Sequence, residues 1–201
     1  MIGVIDYGVG NVKAFLNVFH RIGVAATRVG AAEDVAHARS FILPGVGSFD
    51  HAMKALNDSG MRDTLERRVL EDSVPILGVC VGMQMLAQTS DEGKLPGLGW
   101  LAARVKKLDG ISDLPLPHMG WNNIDLDPKC PLFKGFVDSP LFYFLHSYYF
   151  SSTDADDITA EANYGANFSC AVQKGNIFGI QCHPEKSHEN GALLLKNFSE
   201  L

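Results

Sequence analysis

Pro75-Ile76-Leu77-Gly78-Val79-Cys80-Val81-Gly82-Met83-Gln84-Met85-Leu86 is the stretch on which the fold turns. An apolar run leads to a cysteine with a glycine two residues away on either side, and an apolar helix-forming run follows. This is the G-x-nucleophile-x-G elbow with sulfur as the nucleophile. A tight strand-to-helix turn strains its central residue and brings neighbouring backbone too close for a Cβ, so glycine is needed on both sides. The thiol is left at a helix N-terminus, where unpaired N–H groups favour thiolate. The plainer reading of Cys80 is a small buried residue closing a core strand.

Upstream of the elbow, short apolar runs alternate with helical patterns. Ile2 to Ile5 reads as a strand, followed by a turn through Asp6-Tyr7-Gly8-Val9-Gly10 and a helix capped by Asn11. Val12, Phe15, Phe19 and Ile22 share one face of that helix and Gly23 can end it. Val24 to Val29, Ser40 to Leu43 and Val74 to Val79 read as further strands with helices between them, which predicts a parallel sheet covered on both faces. Gly8-Val9-Gly10 follows a strand and opens a helix, but a dinucleotide fingerprint needs a third glycine where this chain has Lys13. It is read as a tight βα turn.

Downstream of about Gly93 the pattern changes. Glycines, prolines and aromatics crowd together at Pro96-Gly97-Leu98-Gly99-Trp100, Pro115-Leu116-Pro117 and Phe142-Tyr143-Phe144-Leu145, and strand-like runs follow without helices between them. An antiparallel section is expected, with hairpin turns near Asn163-Tyr164-Gly165 and Lys174-Gly175-Asn176 and a closing helix from about His188 to Phe198. No repeat or linker divides the chain, so residues 1–201 are read as one domain.

Composition narrows the function classes. With 46% hydrophobic and 20% charged residues the chain reads as an ordinary globular protein. A net charge of −6, with only the short basic pairs Arg67-Arg68 and Lys106-Lys107, argues against nucleic-acid binding. Cys80, Cys130, Cys170 and Cys182 are scattered and form no CxxC pair, which suggests a reducing compartment and no structural zinc. With no basic leader and no apolar run of membrane-spanning length, a cytoplasmic location is expected.

A thiol nucleophile needs a base that can return a proton to the leaving group, and that base needs a third group to fix its tautomer. His183-Pro184-Glu185 supplies both, at the C-terminal end of the apolar strand Ile177 to Cys182, the edge where ligands gather in an open α/β sheet. If this strand lies beside the elbow strand, imidazole and sulfur can face each other. Leu43-Pro44-Gly45-Val46-Gly47-Ser48-Phe49 follows the third strand. A backbone amide from this loop, at Val46 or Gly47, could join the amide of Val81 to bind an oxyanion. Metal chemistry fits poorly, because His183 and His188 lack the HExxH arrangement; no metal or cofactor is expected.

Taken together these residues resemble the class I, triad-type glutamine amidotransferases, with Cys80, His183 and Glu185 as the triad. The resemblance narrows to the glutaminase subunits of imidazole glycerol phosphate synthase and runs nearly end to end. It is carried by Ile5-Asp6-Tyr7-Gly8-Val9-Gly10-Asn11, Pro44-Gly45-Val46-Gly47-Ser48-Phe49, Gly78-Val79-Cys80-Val81-Gly82-Met83-Gln84, Pro96-Gly97-Leu98-Gly99, Pro117-His118-Met119-Gly120-Trp121-Asn122, Phe144-Leu145-His146-Ser147-Tyr148 and His183-Pro184-Glu185-Lys186-Ser187. It implies a flavodoxin-like three-layer sandwich, with a mostly parallel central sheet and an antiparallel section in the second half.

The implied chemistry is hydrolysis of glutamine to glutamate and ammonia through a glutamyl thioester. Gln84 and Glu92 would bind the substrate, with Ser147 and Tyr148 helping to hold its amino-acid end. The implied partner is a (β/α)8-barrel cyclase subunit that uses the ammonia to make imidazole glycerol phosphate and AICAR in histidine biosynthesis. Asn11, Met119, Trp121, Asn122, Tyr143 and Lys186 would face it. Val79, Val81 and Cys182 stand where isoleucine, leucine and an aromatic are usual in the family, and none of these departures touches the triad. Two rivals share the pattern: a paralogue feeding a sugar amidotransferase of surface-polysaccharide synthesis, and a silent docking subunit, which would be expected to have lost Cys80, His183 or Glu185.

Overall fold

The computed structural model describes residues 1–108, 114–137 and 139–201. Its first half runs β1 (Ile2–Ile5), α1 (Val12–Arg21), β2 (Ala26–Val29), α2 (Ala32–Val35), β3 (Ser40–Gly45), α3 (Phe49–Asp58), α4 (Arg62–Leu70) and β4 (Ile76–Cys80). Every residue of β1, β3 and β4 is buried, as strands covered on both faces require. These strands are parallel, in the order β2-β1-β3-β4. Because the chain steps from β1 to β2 and then back across β1 to β3, right-handed crossovers put α1 and α2 on opposite faces. The strand order reverses beside β1, which makes the carboxyl ends of β1, β3 and β4 the natural ligand crevice.

The second half runs α5 (Val81–Gln84), β5 (Thr89–Ser90), β6 (Ala103–Lys107), β7 (His118–Asn123), β8 (Asp125–Leu126), β9 (Leu141–His146), β10 (Tyr148–Ser152), β11 (Ile158–Asn163), β12 (Asn167–Lys174), β13 (Ile177–Ile180) and α6 (His188–Ser199). β13 lies parallel to β4, with Gly179 opposite Gly78 and Ile180 opposite Val79. β12, β11 and β8 then extend the same sheet antiparallel, so the mostly parallel sheet with an antiparallel section is as expected. Both expected hairpin turns are present, joining β11 to β12 and β12 to β13. A three-stranded sheet, β10-β6-β5, and the antiparallel ribbon β7-β9 complete the structure. α1 packs against α6 and α2 against α4. Among the described residues no helix is long and apolar enough to cross a membrane.

Three local expectations are corrected. The helix after the elbow is four residues long, because the carbonyls of Met85, Leu86, Ala87 and Gln88 accept from Leu98, Leu101, Gly99 and Gly97 instead of continuing an i→i+4 ladder. Thus Pro96-Gly97-Leu98-Gly99 folds back against the elbow, and a Cβ on Gly97 would strike the Ala87 carbonyl oxygen. β2 begins at Ala26 and not Val24, whose N–H closes the end of α1 on the Phe19 carbonyl at 2.9 Å. β4 begins at Ile76 and not Val74, whose N–H is held by the Arg68 carbonyl at 3.0 Å.

Candidate active site

Cys80 ends β4 with φ 56° and ψ −114°, a left-handed conformation that a side-chain-bearing residue adopts only under strain. Its flanking glycines are required by backbone contact. A Cβ on Gly78 would come 2.6 Å from the Gly82 carbonyl oxygen, and one on Gly82 would meet the Leu43 carbonyl oxygen at the end of β3. The turn is therefore wedged between two strands with no room for a side chain on either glycine.

Beside it, β13 runs on into Gln181, Cys182 and His183. The imidazole is buried, and its Nδ1 donates to Glu185 Oε1 at 2.9 Å. Pro184 starts a short 3₁₀ turn that brings Glu185 back beneath the ring. His183 Nε2 completes no hydrogen bond, nor does Glu185 Oε2. Burial works to lower the His183 pKa, but the Cys80 side chain and the Glu185 carboxylate outweigh it and raise the value to about 10. The imidazole thus holds its proton through the neutral range.

Burial, the largest cause in each case, pushes the thiols of Cys130, Cys170 and Cys182 up, which keeps them protonated and inert. Among the described residues no group of three or more His, Cys, Asp or Glu side chains is arranged to hold a metal ion.

A cavity of about 280 Å³ opens over the elbow, lined in part by Val46, Gly47, Cys80, Val81, Gln84, Glu92, Ser147, Tyr148, His183 and Lys186. The structure therefore gathers Cys80 and His183 with every residue named for the oxyanion and substrate groups, and Glu185 stands behind His183. The Gly47 backbone has φ +84°, which glycine adopts without strain. Two contacts set the loop that carries it. Tyr7 Oη donates to the Pro44 carbonyl at 2.6 Å, and Glu92 accepts from the Phe49 N–H at 2.8 Å. Burial pushes the Tyr7 phenol up, so it stays a donor.

Of the residues assigned to the interface, Met119 and Trp121 stand 65% and 47% exposed on β7, and Lys186 is exposed at the cavity mouth. Tyr143 lies opposite Trp121 on β9, edge to face with it at 6.0 Å, and Lys186 Nζ lies 5.5 Å over the Tyr143 ring. These four form one continuous face. Asn11 is exposed but caps α1 through a 3.1 Å bond from the Ala14 N–H. Asn122 is half-buried and turns its amide inward, to the Asn163 carbonyl and to His118.

One residue beside Cys80 escaped sequence reasoning. Gln181 is completely buried, places Nε2 3.7 Å from Cys80 Sγ, and accepts from Gln84 Nε2 at 3.0 Å. The signal was a glutamine inside the apolar strand Ile180-Gln181-Cys182, since a buried amide must find partners.

The family profile for glutamine amidotransferase class-I matches residues 3–200. Imidazole glycerol phosphate synthase subunit HisH of Bdellovibrio bacteriovorus is 52% identical over the full length of both chains. The subunits of the same name in Leptospira borgpetersenii and, as HisH 2, in Pseudomonas aeruginosa are 48% and 46% identical, again over both full lengths. Two solved structures share the fold at TM-score 0.77. One is a glutamine amidotransferase, 22% identical, and the other is PurLQS from Thermotoga maritima, 17% identical; each match covers 99% of this chain and 97% of the other.

Proposed function

The chain belongs to the class-I glutamine amidotransferase family, and we propose that it is the glutaminase subunit of an imidazole glycerol phosphate synthase, acting in histidine biosynthesis as one domain over residues 1–201. The observation that carries this reading is the meeting of Cys80 and His183, from the adjacent parallel strands β4 and β13, in one cavity with Gln84 and Glu92.

Cys80 sulfur attacks the side-chain amide carbon of glutamine, and the carbonyl electrons move onto oxygen. The resulting oxyanion lies near the Val81 amide and the Val46–Gly47 loop, whose backbone N–H groups can bind it. His183 delivers the Nε2 proton to the leaving nitrogen, so ammonia departs and a glutamyl thioester remains. Its Nδ1–H stays on Glu185, which holds the tautomer. Water, deprotonated by His183, then cleaves the thioester to glutamate and regenerates the thiol.

Ammonia released into bulk water near neutral pH would be protonated, so the product has to leave through a covered path. The face of Met119, Trp121, Tyr143 and Lys186 supports a docked subunit, since it joins an exposed methionine and tryptophan to a residue that lines the cavity. That partner is the (β/α)8-barrel cyclase subunit, with which this chain forms a heterodimer in the cytoplasm. Glutamate release from glutamine, measured for the chain with a cognate cyclase and for Cys80→Ala in the same complex, tests the function. Loss of at least a thousandfold in the variant is expected; undiminished turnover would remove the nucleophile.

A further inference from the structure

Two buried imidazoles have no part in the mechanism above. His118 on β7 is 3% exposed and His146 at the end of β9 is 6% exposed, and His146 also lines the cavity. Their protons can be assigned from one fixed point. His146 Nδ1 lies 2.9 Å from the Tyr148 carbonyl oxygen, which only accepts, so Nδ1 carries hydrogen. A neutral imidazole has one N–H, which leaves His146 Nε2 an acceptor. Its neighbour at 3.0 Å, His118 Nδ1, must therefore donate. His118 Nε2 is then an acceptor as well, and the Asn122 amide donates to it from 3.3 Å. Burial lowers both pKa values, to about 4 for His118 and about 3 for His146, so the one-proton-per-ring assignment holds at neutral pH.

The far end of this chain of bonds reaches the substrate groups. The same Tyr148 carbonyl accepts from Gln84 Nε2 at 3.0 Å, and the other N–H of that amide goes to Gln181 Oε1, also at 3.0 Å. Both donors of Gln84 are thus committed inside the protein, and only Oε1 remains for a ligand. Gln181, oriented in turn, places its own amide nitrogen at Cys80 Sγ. A reversed Gln84 amide would set oxygen against the Tyr148 carbonyl.

We infer that His118 and His146 are positioning residues: as a one-directional pair of Nδ1–H imidazoles they fix the Tyr148 carbonyl, and through it they hold Gln84 so that it offers the substrate an acceptor and no donor. The inference rests on the glutaminase reading. It gives glutamine's α-ammonium group an acceptor in Gln84, and it begins at Asn122, on the strand that carries Met119 and Trp121.

Two measurements test it. Long-range ¹H–¹⁵N correlation spectra of the full chain at pH 7 are expected to show both rings neutral and protonated at Nδ1. Either ring charged, or protonated at Nε2, overturns the assignment, whatever the enzyme does. The second is a steady-state comparison of His118→Phe with His118→Asn. Phenylalanine keeps the ring stacked between Phe144 and Tyr164, at 4.9 and 4.1 Å, but has no donor; asparagine restores an N–H near the Nδ1 position. His118→Phe is expected to raise KM for glutamine about tenfold while kcat falls less than threefold, and His118→Asn to recover most of the loss. Equal KM in wild type and His118→Phe overturns the proposal, as does failure of asparagine to rescue. A wild-type chain that hydrolyses no glutamine with its partner would instead overturn the glutaminase reading, and the tautomer spectra would still decide the pair.

Discussion

The N–H of His183 donates to the carbonyl of Tyr143 at 2.8 Å, so β9, which sets Tyr143 opposite Trp121, also holds the backbone of the proposed base. Ser187 closes the clamp. Its Oγ accepts from the Tyr143 N–H at 3.0 Å and donates to the His183 carbonyl at 2.6 Å. The backbones of Tyr143 and His183 are thus joined directly and through the single Ser187 side chain.

Ser187→Ala leaves the Tyr143 N–H and the His183 carbonyl without this buried partner. Loss of about 1–3 kcal/mol in unfolding free energy is expected, together with a fall of about tenfold in kcat and little change in KM, because the base is misplaced while the substrate groups are not. Urea titration and steady-state glutaminase assays check the two halves separately.

Trp121→Ala tests the face. The indole is 47% exposed, stacked on His188 at 5.1 Å and edge to face with Tyr143. An exposed tryptophan anchoring a partner typically contributes about 2 kcal/mol or more, about thirtyfold in Kd. Calorimetric titration with the cognate cyclase subunit is expected to show that loss.

Gly82→Ala drives a methyl group into the Leu43 carbonyl oxygen at the junction of β3 and the elbow. Since backbone has to move on both sides, destabilisation should exceed the roughly 1–3 kcal/mol of ordinary overpacking. Glutaminase activity should fall with it, because the same contact sets the Cys80 turn. Denaturant midpoints for wild type and variant provide the check.

Acid should weaken the fold through the histidine pair. Unfolded imidazole titrates near 6.5, whereas burial holds His118 at about 4 and His146 at about 3. Above pH 6.5 both states are neutral at these positions and nothing is lost. As pH falls below 6.5 the unfolded chain binds protons that the folded chain refuses, so stability drops until the folded values are reached, by at most about 1.4 kcal/mol per pH unit for each ring. Urea midpoints between pH 7.5 and 5 should fall accordingly, and the double variant His118→Phe/His146→Leu should flatten that slope.

Much of the architecture was legible because local signals agreed. Asn11 caps its helix, the hairpin turns lie where Gly165 and Gly175 mark them, and the elbow glycines announce a backbone contact. Tertiary competition erased the rest. Nothing local in Met85-Leu86-Ala87 says that its carbonyls will be taken by Gly97 to Leu101, so the elbow helix was expected to run on. Within the candidate site, the approach of Cys80 to His183 was readable because each stands at a strand end beside turn-forming residues. Gln181 was hidden in an apolar strand, and His118 and His146 become a pair only when β7 and β9 place them opposite each other.

Cys80 is proposed as the nucleophile and His183 as the group that serves it. A glutamine analogue with an electrophilic carbon in place of the amide carbon, incubated with the chain and its cyclase partner and followed by peptide mass spectrometry, tests this directly. One adduct on Cys80, absent from Cys130, Cys170 and Cys182 and slowed at least a hundredfold in His183→Ala, is the predicted result. An adduct on another cysteine, or none on Cys80 at saturating analogue, would contradict it.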